Sequence, residues 1–371
     1  MKKFFTGVDY KSFNQKRSED RNIRRLAHKK WKTTKLRLEL GLAQEEIKEK
    51  KSFKNKYPNY VKVIAPEVFS FIKNTNEVIE LIEHLKKLYD SNQKVYVVLE
   101  HVKETDYSAI VVLLSIMVKF KTKNIDFNGS IPSENEPRQM LEQSGFFKNL
   151  YKKFTEHDSY DISTIGPNGI HTHAAKKVDS ALSSQIITSA TKYIWGEARR
   201  CQGVQRVLIE LMQNTNNHAE IGKLGEKHWW LSVNQDKNSK KVSFSFVDFG
   251  VGIFTNLAYK PTESKFYGWV QKLSSKIQYG NNADLLELIL KGELHRTVTG
   301  EHYRGKGLPG IAEVMRRNQI SNLHIITNDV FCCASNGIYR TLSNSFSGTF
   351  VYWELGEDND SHKRVNTSSI D

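Results

Sequence analysis

The hydrophobic pattern changes character once along this chain, near residue 180, and that change limits what it can fold into. From 57 to 154, short apolar runs at 60–64, 95–99 and 125–127 alternate with helical periodicity at 77–88, 108–121 and 137–145. Val78, Leu81, Ile82 and Leu85 share one helical face, 95–99 is rich in β-branched residues, and Pro137 and Gly145 bracket the last helix. Strands alternating with helices predict a small α/β domain. After 180 the order is different. Helices are expected at 181–195, 204–219, 266–277, 284–291 and 309–317, and strands at 229–233, 242–247, 323–327, 331–335 and 349–354. That pattern predicts an α+β sandwich of two layers, one mixed sheet covered by helices on one side. Between the two patterns, 155–177 is polar with little periodicity and reads as a linker. The expected organisation is a basic helical arm (1–56), an α/β domain (57–154), the linker, a second domain (178–357) and a polar tail (358–371).

The composition supports packed cores: 39% of the 371 residues are hydrophobic and 26% charged. Three cysteines are too few for a disulfide scaffold, and Cys201, Cys332 and Cys333 lack zinc-site spacing. The longest nearly apolar run, 109–118, is half of the roughly 20 residues a membrane span needs. The chain start has no apolar stretch of the secretion type. A cytoplasmic protein with no membrane partner is expected.

The net charge of +14 is concentrated. Residues 1–56 carry 18 Lys and Arg against 7 Asp and Glu, leaving a nearly neutral body. Arg21, Arg24, Arg25, Lys29, Lys30, Lys32, Lys35 and Arg37 interleave with Leu26, Trp31, Leu36, Leu38 and Leu40. Such a helix suits phosphates, an anionic lipid face or an acidic protein, or it is a solvated helix packing through its leucines and Trp31.

Three local patterns in the second half carry chemistry. In Glu210-Leu-Met-Gln-Asn214-Thr-Asn-Asn217-His218, the residues Glu210, Asn214 and Asn217 lie together beside an apolar stripe of Val204, Val207, Leu208 and Leu211. A carboxylate and an amide so placed can orient water and hold magnesium. Asp248-Phe-Gly250-Val-Gly252 follows a strand directly. A carboxylate there, on a turn of glycines, can accept a hydrogen bond from an exocyclic amine at the position where adenine carries its 6-amino group and guanine presents a carbonyl. Arg304-Gly305-Lys306-Gly307-Leu308-Pro309-Gly310 leads glycines and cations into a helix with proline in its first turn, a natural phosphate cradle.

Two other motifs fail. Gly300 to Lys306 matches the start of a P-loop, but Gly307 occupies the position that must be Ser or Thr. His171 and His173 have no third ligand at suitable spacing nearby.

The order of the three patterns resembles the GHKL (Bergerat-fold) ATP-binding domain of gyrase, histidine kinases, MutL and the anti-sigma-factor serine kinases. The resemblance covers about 178–355. It implies that Glu210 is the general base, Asn214 the magnesium ligand, and Asn217 and His218 an extension of the same box. Asp248, Gly250 and Gly252 become the adenine site, and Arg304, Gly305, Lys306, Gly307 and Leu308 the phosphate loop. Gly348-Thr349 resembles the family's late Gly-Thr. Pro309 departs from the small residue usual after the glycine core. By the same resemblance, 284–303 would be a lid over the nucleotide with Gly292 and Gly300 as hinges. The preceding domain resembles STAS domains in 95–99, in Thr105-Asp106-Tyr107-Ser108-Ala109, in the apolar helix that follows and in Gly145-Phe146. Phosphorylated STAS proteins carry Ser or Thr directly after the Asp; here that position is Tyr107, so a binding or scaffold role is implied.

The resemblances imply an ATP-binding regulator that hydrolyses ATP slowly with Mg2+ and engages a protein partner through its STAS-like domain. Competing readings are a protein serine kinase acting on a separate partner and an ATP-controlled factor that contacts nucleic acid through 1–56. A homodimer is compatible with each. By the same resemblance, no helical phosphoacceptor His followed by an acidic residue and no transducer domain after the ATP fold is expected, which sets the chain apart from histidine kinases and from gyrase-like enzymes.

Overall fold

The computed structural model describes residues 8–39, 57, 59–147, 162–165, 171–175, 178–218, 229–236, 238–258, 281–292 and 307–359. The chain divides into two compact units, Met1–Asn59 and Tyr60–Asp371. The described part of the first is a single helix, α1 (Val8–Glu39). Among the described residues no helix is long and apolar enough to cross a membrane.

The second unit opens with alternating strands and helices, close to the pattern expected. They are β1 (Tyr60–Ile64), β2 (Val68–Phe69), α2 (Thr75–Asp90), β3 (Lys94–Val98), β4 (Glu104–Thr105), α3 (Tyr107–Thr122), β5 (Phe127–Gly129) and α4 (Asn135–Gln143). Strands β1, β3 and β5 form a parallel sheet in the order β1-β3-β5, as strands joined by helical crossovers do. Helix α3 starts where Asp106 accepts the backbone N–H groups of Ser108 and Ala109, an N-cap. Every residue from Ser108 to Val118 is buried. A helix apolar all round needs cover on every side. It receives it by packing on β5 and also on two strands from the second half of the chain.

That second half contains β6 (Ile162–Ile165), β7 (His171–Ala175), α5 (Ser180–Trp195), α6 (Gln202–His218), β8 (Trp229–Asp236), β9 (Lys241–Asp248), α7 (Ile253–Ala258), α8 (Asn282–Lys291), α9 (Leu308–Arg316), β10 (Ser321–Cys333) and β11 (Ile338–Leu355). Its six strands order as β10-β11-β9-β8-β7-β6, and every pair is antiparallel. The α+β class therefore stands, while the sheet expected to be mixed is antiparallel.

The expected linker is a second correction. β6 and β7 lie within 155–177 and extend the sheet beyond β8, with His171 opposite Val233 and His173 opposite Leu231. A polar segment can be a strand because its backbone finds a ladder, whatever its side chains. Third, the sheet has helices on both faces. Trp229, Leu231, Val233, Phe244, Phe246 and Trp353 belong to a core shared with α5, α6, α8 and α9. Trp230, Val247, Phe346 and Phe350 point the other way, into the core of α2 and α3. Phe71 closes that core, its ring 5.2 Å from Phe346 and 4.9 Å from Phe350. The described parts of 60–147 and 178–357 thus lie in one compact unit as four layers, small sheet, helices, large sheet, helices.

The strands expected at 323–327 and 331–335 are one strand, β10, with register shifts around Asn328. β11 is longer than the expected 349–354 because it pairs with β10 through a tight turn in which Gly337 has a φ of 65°. The helix expected at 266–277 lies outside the described residues.

Candidate functional site

β9 ends in Asp248, and alternation along the strand puts its side chain on the face of Phe244 and Phe246, where α5, α6, α8 and α9 pack. Asp248 is buried, 8% exposed. One carboxylate oxygen accepts the Gly250 N–H at 2.9 Å, and the Thr349 N–H also donates to the group. Burial nevertheless dominates and pushes its pKa up to about 7, the two N–H donors pulling the other way.

The loop after Asp248 is fixed from β10. The Asn328 side chain accepts the Phe254 N–H at 3.0 Å and donates to the Val251 carbonyl and the Thr255 hydroxyl, each at 3.0 Å. Next to it, the Thr327 hydroxyl accepts the Ile253 N–H at 3.0 Å and donates to the Gly348 carbonyl at 2.9 Å. Asn328 holds a φ of 49°, a left-handed conformation that Asn tolerates and that accompanies the shift in register. Gly252 has a φ of 79°, and a side chain there would run into the Asn328 amide. Gly348 has a φ of 146°, and a side chain there would strike the Asp248 carbonyl oxygen. Both glycines are required by close approach, in the position the sequence patterns give them.

A second cluster forms where α6 meets α9. Gly307 is the N-cap of α9, with a φ of 87° and no side chain of its own to cap the helix. Its N–H donates instead to Glu210 Oε2 at 2.8 Å. The helix therefore starts against a carboxylate, the charge that the free N–H groups and the helix dipole favour. Pro309 occupies its first turn. Asn214 lies one helical turn beyond Glu210, half-buried, with no side-chain hydrogen bond among the described residues.

The structure thus brings Glu210 to Gly307, and Asp248 to Gly250 and Thr349, with both groups on the side of the large sheet where α5, α6, α8 and α9 pack. Leu308 opens α9 and packs against the core there. Asn217 and His218 close α6, and their side chains are outside the described residues, as are Arg304, Gly305 and Lys306 entirely. Of the expected lid, α8 and Gly292 are described; Gly292 caps that helix with a φ of 73°. Gly300 lies outside the described residues. Among the described residues no group of three His, Cys, Asp or Glu side chains is placed to hold a metal, and the three cysteines are free thiols.

Thr327 and Asn328, which hold the loop after Asp248, are positions that the pattern reading passes over. Their signal is weak: a Thr-Asn pair interrupting an apolar run looks like the end of a strand, and the gap left between 327 and 331 is where the irregularity falls.

Ser108, in the Asp106-Tyr107-Ser108 segment, is 1% exposed, bonded to Asp106, and accepts the Phe71 N–H at 3.0 Å. Asp106 also accepts from Ser70, and burial raises its pKa against these donors. Ser108 in this conformation is an internal strut, closed to a modifying enzyme.

No family model, curated protein or solved structure matches the chain.

Proposed function

We propose that the Tyr60–Asp371 unit is an ATP-binding regulator of the GHKL type, hydrolysing ATP slowly with Mg2+. The observation that carries the reading is Asp248: a buried carboxyl at a strand end, on a glycine loop clamped by Thr327 and Asn328, on the sheet face that also bears Glu210 and Gly307. Such a carboxylate accepts an N–H from the 6-amino group of adenine, and the fixed loop leaves it no freedom to turn away.

The α9 terminus supports the phosphate half of the reading, because its amide already holds an anion, the Glu210 carboxylate. When phosphate oxygens take the Gly307 N–H, Glu210 is released. Its carboxylate then becomes available to orient a water and accept its proton. Asn214, with no side-chain partner among the described residues, would hold magnesium through its amide oxygen. Magnesium supplies charge neutralisation at the transferring phosphate. In the sequence, Arg304 and Lys306 place two cations just before Gly307.

The STAS-like reading of 60–147 belongs to the same proposal, with its role narrowed. The layer covers the back of the large sheet and carries no accessible hydroxyl at Ser108, so it serves as a scaffold and as the surface a protein partner meets.

The test is calorimetric titration of MgATP and MgADP into wild type, Asp248→Asn and Glu210→Ala. Wild type binds, Asp248→Asn loses binding, and Glu210→Ala binds but releases no phosphate. Wild type that shows no magnesium-dependent ATP binding ends the reading. Label from γ-phosphate appearing on a protein rather than as free phosphate moves the assignment from ATPase to protein kinase.

A further inference from the structure

We propose that α1 is a sequence-independent binding element for duplex DNA, through a row of arginines that grips backbone phosphates. This inference stands independently of the nucleotide reading. Residues 15–29 are all exposed. At about 100° per residue, Arg17, Arg21, Arg24 and Arg25 fall within one arc of roughly 100°, and no acidic residue between 15 and 29 shares it. None of the four has a side-chain partner among the described residues. Elsewhere the exposed cations are commonly paired, as in Lys94–Asp126 at 2.7 Å, Lys103–Glu67 at 2.7 Å and Arg317–Glu313 at 2.7 Å. A helix whose four guanidinium groups on one side have no acidic partner among the described residues is suited to meet an anion from outside.

The row selects among anions. From Arg17 to Arg25 the helix rises about 12 Å, alongside which a B-form duplex presents roughly seven phosphates, one per 1.7 Å of axis. A helix of about 10–12 Å diameter also matches the major groove, about 12 Å wide. All four groups are Arg, whose planar fork binds phosphate oxygens two at a time. An anionic membrane fits less well. The exposed apolar residues Ile23 (64%) and Leu26 (63%) share their face with Glu19, four residues before Ile23, so entering the acyl boundary would drag a carboxylate with them. Without base-directed contacts the binding follows charge and is indifferent to sequence.

The experiment uses the full chain, fluorescence anisotropy, and labelled duplexes of about 24 base pairs in unrelated sequences, with KCl varied from about 50 to 200 mM. The variants are R17Q/R21Q/R24Q/R25Q and the charge-preserving R17K/R21K/R24K/R25K. Each phosphate contact contributes about −0.9 to the slope of log affinity against log salt, so the Gln variant should be shallower than wild type by about 3.6. Its affinity at the lowest salt falls more than tenfold. The Lys variant keeps most of the slope, and unrelated duplexes bind within about twofold of one another. Wild-type affinity in the Gln variant overturns the proposal. So does equal loss in the Lys variant, or wild type that binds phosphatidylserine vesicles or an acidic protein and leaves duplex DNA unbound.

Discussion

Lowering the pH from 8 to 6 should weaken adenine binding about tenfold, through Asp248 alone. In the empty protein burial raises this carboxyl to about 7, from an ordinary value of 3.8. The sign follows from which form each state holds. Between about pH 4 and 7 the unfolded chain ionises this Asp while the folded protein keeps it neutral. The empty protein therefore loses stability as pH rises through that window, by roughly 4 kcal/mol at most over three pH units. Adenine binding works in the opposite direction, because only the ionised carboxylate accepts the amino N–H. At pH 6 about one molecule in eleven is ionised, so affinity is about tenfold below its plateau, and at pH 5 about a hundredfold. Adenosine is the suitable probe, since it carries no phosphate that titrates in this range. Calorimetry in two buffers of different ionisation heat should show close to one proton released per adenosine bound at pH 6, falling to none above pH 8. An affinity flat from pH 5 to 8, or no proton released at pH 6, would refute the assignment of Asp248 as the adenine anchor.

Two further outcomes follow from the same packing. Gly348→Ala places a methyl group against the Asp248 carbonyl in a conformation only glycine holds easily, so thermal unfolding should show a loss of about 3 kcal/mol or more, accompanied by lost adenine binding. Phe71→Ala removes the ring that meets Phe346 and Phe350 between the layers, and chemical denaturation should show about 3–5 kcal/mol lost in a single transition. Two separate transitions, with only the first shifted, would mean that the 60–147 layers and the large sheet fold independently.

The elements themselves were largely legible because each announces a period, but their assembly depends on contacts no period encodes. In β8, Trp230, Ser232 and Asn234 share one face, and in β9 Ser245 lies opposite Ser232. Polar residues so placed, Ser232 and Asn234 on one strand and Ser245 on the next, look like the solvent side of a half-buried sheet and give no local sign of a covering layer. Yet Ser232, Asn234 and Ser245 are 2%, 3% and 0% exposed, beneath the layer that holds α3. The clue lay in α3 instead: a helix apolar on every side requires two apolar layers, and the three short strands of the small sheet provide one. The site divides in the same way. Asp248, Gly252 and Gly348 could be read because carboxylate and glycine at a strand end are local chemistry, whereas the clamp by Thr327 and Asn328 and the bond from Gly307 to Glu210 join residues 70 or more positions apart. The back of the sheet that carries Asp248 is covered by α2 and α3, so the residues that join the two halves are spread over both and no single segment announces them.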